Sequence, residues 1–128
     1  MIPKAMEKGI EKILIDTCVL DPPTLGSAFK ATFDIKNELG YPTGCGAHNA
    51  IATWKGLKSK MGLQAFKPCA AVADTLTIAA GADWILYGPI EEASYVFPAV
   101  AMVNTAFAQL LIEKGKMPAR SHPIFKTA

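Results

Sequence analysis

The sequence has 128 residues and a net charge of +2, and 51% of its residues are hydrophobic while 19% are charged. Its length suffices for one hydrophobic core, so residues 1–128 are treated as a single domain, and the low charged fraction predicts that another surface covers part of it. The basic residues are scattered and lack an aromatic platform, which argues against nucleic acid as a partner.

Helices and strands alternate along the predicted chain. Apolar residues three or four positions apart mark the helices, and short apolar runs mark the strands. In chain order the predicted elements are a helix tail at 4–11, a strand at 12–16, a helix at 24–39, a strand at 41–45, helices at 49–60 and 68–80, a strand at 83–88 and a long helix at 91–114. The segment from residue 116 onward is expected to lie over the surface.

Capping residues and a proline set the boundaries of the predicted helices. Thr24 is the candidate N-cap of the helix at 24–39, and Gly40 and Gly81 are placed to end two helices. Pro98 should bend the final helix or lie in its first turns.

The order of the predicted elements indicates the fold class. Strands that alternate with helices imply parallel βαβ units, and the near-continuous apolar character of the strands fits a sheet covered on both faces. Three strands do not close a barrel. We therefore predict an α/β chain that is the C-terminal portion of a TIM (β/α)8 barrel, with about three βα units. It is expected to be truncated at its N-terminus, or to come from a split gene whose partner supplies the rest.

Cysteine spacing argues against a metal site and against a disulfide framework. Cys18, Cys45 and Cys69 show no CxxC pairing, so no zinc site is expected, and an odd number of cysteines does not fit a set of disulfides. We therefore expect reduced cysteines in a cytoplasmic protein.

The longest apolar run covers 96–112 and is interrupted by Pro98, Asn104, Thr105 and Gln109. We expect this run to be too polar and too broken to span a membrane. No signal peptide is expected before the first predicted strand.

The most informative stretch is a glycine-rich run at 40–50, GYPTGCGAHNA. Gly44 and Gly46 lack side chains where the backbone must come close to another group, which fits a flat ligand ring or a tight turn equally well. Asp16 ends the first predicted strand, and Asn49 follows the second. In a barrel, residues in these places form the ligand site, because the loops after the strands meet at one face.

Three segments resemble the MtrH family, which comprises the H subunits of tetrahydromethanopterin S-methyltransferase. They are the glycine-rich run at 40–50, the segment IDTCVLD at 15–21 and the segment YGPIE at 87–91. The resemblance covers nearly the whole chain, and the glycine-rich run is its most specific part. The wider family includes the methyltetrahydrofolate:corrinoid methyltransferases, which are longer pterin-binding barrels.

The resemblance implies a reaction of one-carbon metabolism in archaeal methanogenesis. A methyl group leaves N5 of methyl-tetrahydromethanopterin and is taken up by cob(I)alamin, a corrinoid held on a partner protein. The implied partners are this corrinoid-binding subunit, the other subunits of a membrane complex and a second copy of the chain, which would form a homodimer through the final helix. The implied location is cytoplasmic and peripheral to the cell membrane, with attachment through the partner subunits.

Several interpretations stay open. Tetrahydrofolate could replace tetrahydromethanopterin, and the oligomeric state is not specified. The N-terminal strands that supply further pterin contacts in the family are absent, so activity is expected to need the missing half. The alternative to an enzyme subunit is that the chain is a non-catalytic half-barrel that acts as an interaction module. A generic phosphate-binding α/β domain is disfavoured, because no GxGxxG or P-loop spacing is present.

The resemblance assigns pterin contacts to Asp16 and Asn49. A carboxylate at Asp16 accepts the ring N–H and the exocyclic amine of a pterin side by side. The alternative is that Asp16 caps the following turn or pairs with a lysine. Asn49 is the catalytic candidate, since its amide can donate a hydrogen bond to N5 as charge develops there. The alternative for Asn49 is an N-cap of the following helix.

Three further positions carry weaker hypotheses. His48 could shuttle a proton near neutral pH, but a lone loop histidine is more often structural. Backbone N–H groups after Gly88 could bind an anion such as the acidic tail of a pterin, although Glu91 and Glu92 already complement the helix dipole there. Asp83 precedes a strand and is expected to be structural. No metal ligand set is expected on this chain.

Overall fold

The computed structural model of the chain describes residues 1–126 and shows a small parallel sheet surrounded by helices. The strands are β1 (Ile15–Asp16), β2 (Thr43–Cys45) and β3 (Trp84–Ile85). The helices, in chain order, are α1 (Ile2–Glu7), α2 (Pro22–Glu38), α3 (His48–Ala52), α4 (Gly56–Met61), α5 (Phe66–Ala79) and α6 (Ala93–Glu113), and 3-10 turns lie at Leu63–Ala65, Ile90–Glu92 and Pro123–Lys126.

The sheet has the order β1-β2-β3, and both strand pairs are parallel. Asp16 pairs with Gly44, and Cys45 pairs with Ile85. Because all three strands run the same way, the loops that follow them emerge at one edge of the sheet. The prediction of parallel βαβ units is confirmed. Within residues 1–126 the sheet is open, so its place in a larger barrel stays a prediction.

The strands are shorter than the apolar runs predicted. The 12–16 run pairs only at its last two residues, and the 41–45 run pairs only from Thr43. A strand exists only where a neighbour completes the hydrogen-bond ladder. Pro42 has no N–H to donate, although its carbonyl accepts from Ile15 N at 2.9 Å. Only part of each of these two predicted strands is therefore paired in the sheet.

Helix α2 begins with a capping box that differs from the predicted cap. The N-cap is Asp21 and not Thr24; its Oδ1 accepts from Thr24 N at 3.0 Å, and Thr24 Oγ1 accepts from Asp21 N at 2.9 Å. Thr24 is thus the third helical residue, which serves the same box from the other side. The helix ends before Gly40, whose positive φ of 70° fits the predicted glycine stop.

The predicted helix at 49–60 is wrong as a single element. The chain forms α3 and α4 there, with a break between them. Thr53 Oγ1 donates to the carbonyl of Asn49 at 2.8 Å, and Gly56 begins α4. A threonine that bonds back to the preceding turn and a glycine both weaken a continuous helix. The spacing of apolar residues, on which the prediction was based, does not reveal this break in the helix.

The core lies between the central strand and the helices α2, α3 and α5. Its buried members are mostly small: Val19, Ala28, Cys45, Ala47, Ala50, Ile51, Leu57, Ala70 and Ala73. Small side chains let the helices approach the sheet closely, so the loops after β2 and β3 are held at fixed positions. These are the loops that carry the residues singled out by the sequence.

Helix α6 is more apolar than the sequence pattern indicated. The segment Ile90–Glu113 is long and apolar enough to cross a membrane by length and composition, and 11% of its most apolar window is buried. The expectation that this run is too polar and too broken is therefore wrong on composition. Length and composition alone are weak grounds for a span, since core helices of soluble proteins and signal sequences meet them too. Pro98 lies inside the helix.

Candidate functional site

Asp16 is the last residue of β1 and is exposed at the carboxyl edge of the sheet. Its Oδ1 accepts from Cys18 N at 2.8 Å. Cys18 has a positive φ of 58°, which turns the chain sharply away from the strand. This bond matches the turn-capping alternative for Asp16. A carboxylate has lone pairs beyond the one used here, so the predicted pterin contact stays a prediction.

Asn49 lies in α3 and ties two loops together. Its Nδ2 donates to the carbonyl of Val19 at 3.0 Å, which joins the segment after β1 to the helix after β2. The N-cap alternative is wrong, because Ala47 holds that position and no side chain caps α3. The bond brings the Asp16 turn and the Asn49 side chain to the same part of the sheet edge.

The two glycines of the motif differ in what surrounds them. A Cβ at Gly44 would lie 2.0 Å from the carbonyl oxygen of Trp84 and 2.6 Å from its ring, so glycine is required for β2 to lie beside β3. A Cβ at Gly46 would meet only Asn49 Nδ2, at an ordinary 3.5 Å. Gly44 therefore has a packing reason within the chain. A ligand contact at Gly44 or Gly46 stays a prediction.

The loops after β2 and β3 meet at His48, Gly88 and Glu92. His48 Nδ1 and Glu92 Oε2 are 3.4 Å apart. A Cβ at Gly88 would lie 2.3 Å from His48 Nδ1 and 2.6 Å from Glu92 Oε2, so both side chains rest against bare backbone. Both atoms are buried and have no hydrogen-bond partner within the described part of the chain. The carboxylate beside Gly88 does not favour the predicted anion site, which stays a prediction.

Two further titratable groups lie behind Glu92. Asp74, on α5, is fully buried, and among residues 1–126 neither of its oxygens has a hydrogen-bond partner. Burial, and then repulsion by Glu92, raise the pKa of Asp74 to about 7. Burial, and then a hydrogen bond to Glu92, raise the pKa of Tyr95 to about 12. Glu92 therefore contributes to the raised pKa of both Asp74 and Tyr95.

A cavity of about 520 Å³ opens beside this group, and we call it the His48 cavity. His48 and Glu92 line it together with Trp54 and Phe66. Its complete lining is His48, Ile51, Ala52, Trp54, Lys55, Leu57, Lys58, Phe66, Pro89 and Glu92. A flat apolar ring with polar edges fits such a mixture of aromatic and charged walls. Asp16 and Asn49 do not line it.

Sequence reasoning identified some of these residues and missed others. It marked His48 and Gly88, but it treated Glu92 only as a partner of the helix dipole and passed over Asp74. An acid on the apolar side of the predicted helix at 68–80 was the available signal for Asp74. Asp83 was predicted to be structural, and this is confirmed, since it accepts from Lys36 Nζ and from Thr43 N, each at 2.9 Å.

No cluster of three or more histidine, cysteine or acidic side chains able to hold a metal occurs among residues 1–126. The three cysteines are free, and they are spread over the chain: Cys18 is exposed, Cys45 is buried and Cys69 is half-buried. Burial is the main cause that raises the pKa of the Cys45 thiol.

These features define an α/β chain with a small parallel sheet and with polar side chains gathered where the strands end. Residues 1–117 match the family model described as tetrahydromethanopterin S-methyltransferase MtrH subunit. This match spans most of the chain, so the chain belongs to that family. The family resemblance expected from the three sequence segments is confirmed.

Curated relatives are named as H subunits of methyltransferases. The chain is 35% identical over 129 residues to the tetrahydromethanopterin S-methyltransferase H subunit of Methanothermobacter thermautotrophicus, covering 98% of this chain and 42% of that protein. It is 34% identical over 138 residues to the protein of that name from Methanocaldococcus jannaschii, at 98% and 43% coverage. It is 39% identical over 119 residues to the H subunit of the putative methyltransferase mtx of Methanosarcina acetivorans, at 91% and 38% coverage. The chain thus spans about two fifths of the length of these relatives.

Proposed function

We propose that the chain is part of a methyltransferase subunit that moves a methyl group from N5 of methyl-tetrahydromethanopterin to cob(I)alamin on a corrinoid-binding partner protein. Membership of the family supports the methyl-pterin substrate, because the family description names tetrahydromethanopterin. The corrinoid supplies the nucleophile that accepts the methyl group, and the residues of this chain bind and orient the pterin.

The bond from Asn49 Nδ2 to the carbonyl of Val19 is the observation that carries the proposal. An amide nitrogen has two hydrogens, and this bond uses one of them. In the proposal the second hydrogen is donated to N5 as the carbon–nitrogen bond breaks. A donor already held by the fold stabilises developing charge without the cost of reorienting. Asn49 is therefore our catalytic candidate.

Asp16 is proposed to recognise the pterin ring. Its Oδ1 already holds the turn at Cys18, which fixes the orientation of the carboxylate. In the proposal the remaining lone pairs accept the exocyclic amine and the adjacent ring N–H. Gly46, which is next to Asn49 in space, is proposed to let the ring approach the backbone, and Gly44 contributes by keeping β2 and β3 together.

The partners are proposed from the family and from the surface. The proposed partners are the corrinoid-binding subunit, the other subunits of the complex and a second copy of the chain. Helix α6 supports the homodimer, because Phe107, Leu110 and Leu111 are each about half exposed and follow one another at helical spacing. The location proposed for the complex is the cytoplasmic face of the membrane, with attachment through the other subunits.

Two alternatives remain with the family assignment. Methyltetrahydrofolate could be the methyl donor in place of the methanopterin, since the proposed contacts recognise the ring that both share. A non-catalytic interaction module is the second candidate, and it is favoured by the large apolar side chains exposed on α6.

Titration calorimetry with methyl-tetrahydromethanopterin tests the proposal. The chain is titrated alone and after addition of the remaining part of a full-length relative. We expect binding when both are present, and we expect Asp16→Asn to weaken it by about 10-fold to 100-fold, the usual loss for a charge-assisted hydrogen bond. Asn49→Ala should slow methyl transfer more than it weakens binding.

The matched control is Asp34→Asn, which removes an exposed carboxylate that pairs with Lys30 on the surface of α2. This variant should bind the pterin as the unaltered chain does. Titration with methyltetrahydrofolate distinguishes the two donors. If no pterin binds while both parts are folded, the proposal fails and the interaction module is favoured.

A further inference from the structure

Trp84 begins β3, and the pterin contacts proposed above do not include it. We propose that the indole ring of Trp84 is a wall of the pterin site, against which the flat ring of the methyl-pterin packs while Asp16 holds its polar edge. This inference deepens the proposed function and rests on it, because it assigns Trp84 to the same ligand.

The strand register places Trp84 in line with Asp16. Asp16 pairs with Gly44, and Gly44 pairs with Trp84, so the three residues form one row across the sheet, which we call the Asp16 row. Residues paired in this way point to the same face of a sheet. Neighbouring strands are about 4.8 Å apart, so the backbones of Asp16 and Trp84 lie about 10 Å apart with only a glycine between them.

The residues that follow the Asp16 row in β1 and β2 point toward the helices. Thr17 Oγ1 lies 3.3 Å from Thr32 Oγ1 on α2. Cys45 Sγ lies 3.8 Å from Thr77 Oγ1 on α5. Because successive side chains of a strand point to opposite faces, the Asp16 row points away from both helices.

The face to which the Asp16 row points is open in the described part of the chain. Leu14 lies two residues before Asp16 and is 68% exposed, and Leu86 lies two residues after Trp84 and is 61% exposed. Asp16 is exposed as well, and Trp84 is partly exposed. An apolar surface with a carboxylate at one side fits a ligand that has an apolar face and a polar edge.

Gly44 lets the indole lie flat over β2. A Cβ at Gly44 would lie 2.6 Å from Cδ2 and 2.8 Å from Cε2 of Trp84, the two atoms that its two fused rings share. A Cβ points out of the sheet, so the middle of the indole covers the glycine and one face of the ring rests on the strand. The other face is turned away from the sheet, on the side to which Asp16 points.

The polar edge of the indole does not explain the position of the ring. Trp84 Nε1 is buried and has no hydrogen-bond partner among residues 1–126. A buried N–H without an acceptor destabilises a fold, so no hydrogen bond in this part of the chain holds the ring in place. The contact with Gly44 holds one face of the indole, and the other face is available for a ligand ring.

A reduced methyl-pterin matches this arrangement in two ways. Its ring system offers a flat face that packs on an indole. Its exocyclic amine and ring N–H lie at the ring edge, where the carboxylate of Asp16 accepts them. Packing on the ring face is the same before and during methyl transfer, so it favours binding and does not accelerate the reaction. Trp84 is therefore a positioning residue.

Fluorine NMR of the chain labelled with fluorotryptophan tests the contact. The chain has two tryptophans, so Trp54→Phe and Trp84→Phe assign the two signals. Methyl-tetrahydromethanopterin is added in the presence of the unlabelled remaining part of a full-length relative. We expect the pterin to shift the Trp84 signal and to leave the Trp54 signal in place, because Trp54 lines the His48 cavity and Asp16 does not. A shift of the Trp54 signal alone overturns the inference.

Binding and kinetics of Trp84 variants test its role. Trp84→Leu should weaken pterin binding by about 10-fold, whereas Trp84→Phe should stay within about 3-fold, because a smaller flat ring still packs on the ligand. KM should rise in Trp84→Leu by the same factor as the loss of binding, with little change in kcat. Phe33→Leu is the matched control, because it removes an exposed aromatic ring from α2, and it should bind as the unaltered chain does.

The outcomes separate this inference from the proposed function. Circular dichroism checks that each variant keeps its helices. Equal pterin binding by the unaltered chain and by folded Trp84→Leu overturns the role of Trp84 and leaves the proposed function standing. If Trp84→Leu does not fold, the NMR experiment decides, since a Trp84 signal that the pterin does not shift also overturns the inference. If the unaltered chain binds no pterin while both parts are folded, the inference and the proposed function fail together.

Discussion

Individual residues at the sheet edge have distinct roles that follow from their contacts. Asp16 holds a turn, Asn49 joins two loops, and Gly44 lets two strands lie side by side. Glu92 is different, because it is buried and lies between His48 and titratable groups on two helices. The cost of burying such groups is measurable, and Asp74 is the clearest case.

Asp74 makes the stability of the chain depend on pH. Its pKa is 3.8 in an ordinary setting and about 7 in the folded chain. Between these values the folded chain holds a proton that the unfolded chain has lost. The free energy of unfolding therefore falls as pH rises from about 4 to about 7, by up to about 4 kcal/mol.

Asp74→Asn should remove this dependence. We expect the variant to exceed the unaltered chain in unfolding free energy at pH 8 and to match it near pH 4, as measured by urea denaturation. Asp34→Asn, on the exposed face of α2, is the control and should leave the pH dependence unchanged. A parallel pH profile for Asp74→Asn and the unaltered chain would contradict the assigned pKa.

Local sequence signals were sufficient to predict the spans of some helices and not of others. Helices α2 and α5 lie close to their predicted spans, because their apolar periodicity agrees with a following glycine at Gly40 or Gly81. The helix at 49–60 was mispredicted because Thr53 and Gly56 interrupt it. The strands were overextended because pairing depends on a neighbour that is distant in sequence. The ends of the strands therefore depend on contacts between segments that are distant in sequence.

The capping box of α2 gives a test of one element. Asp21→Ala removes the acceptor for Thr24 N and should lower the unfolding free energy by about 1 kcal/mol, with a range of about 0.5–2 kcal/mol. Chemical denaturation measures the loss. Asp21→Asn keeps an acceptor oxygen at the N-cap and should lose much less. If both variants lose the same amount, the side-chain cap is not the source of the stability.

The surface of the whole molecule carries apolar side chains that the chain itself does not cover. Large hydrophobic residues are exposed along α6, among them Phe97 at 57% and Met102 at 69%. The low charged fraction of the sequence predicted a covered surface, and this helix is where such a surface lies. Its apolar face is the proposed contact between two copies of the chain.

Sedimentation velocity tests the proposed contact. The unaltered chain should form a dimer, and Phe107→Ser combined with Leu110→Ser should shift it toward a monomer, because each change removes about half-exposed apolar surface from the contact. Gln109→Ala on the same helix is the control and should leave the dimer intact. A chain that stays monomeric at every concentration would rule out the homodimer.

The amino-acid pattern alone was sufficient for the class of the fold, the family and the presence of Asp16 and Asn49 after the strands. These depend on periodicity, capping residues and short motifs, which act over neighbouring positions. The pairing of His48 with Glu92 was not readable in this way. Their side chains meet only because β2 and β3 are parallel and Gly88 leaves space between their loops. Burial of Asp74 likewise requires α5 and α6 to pack together, so its pKa is a property of the folded chain.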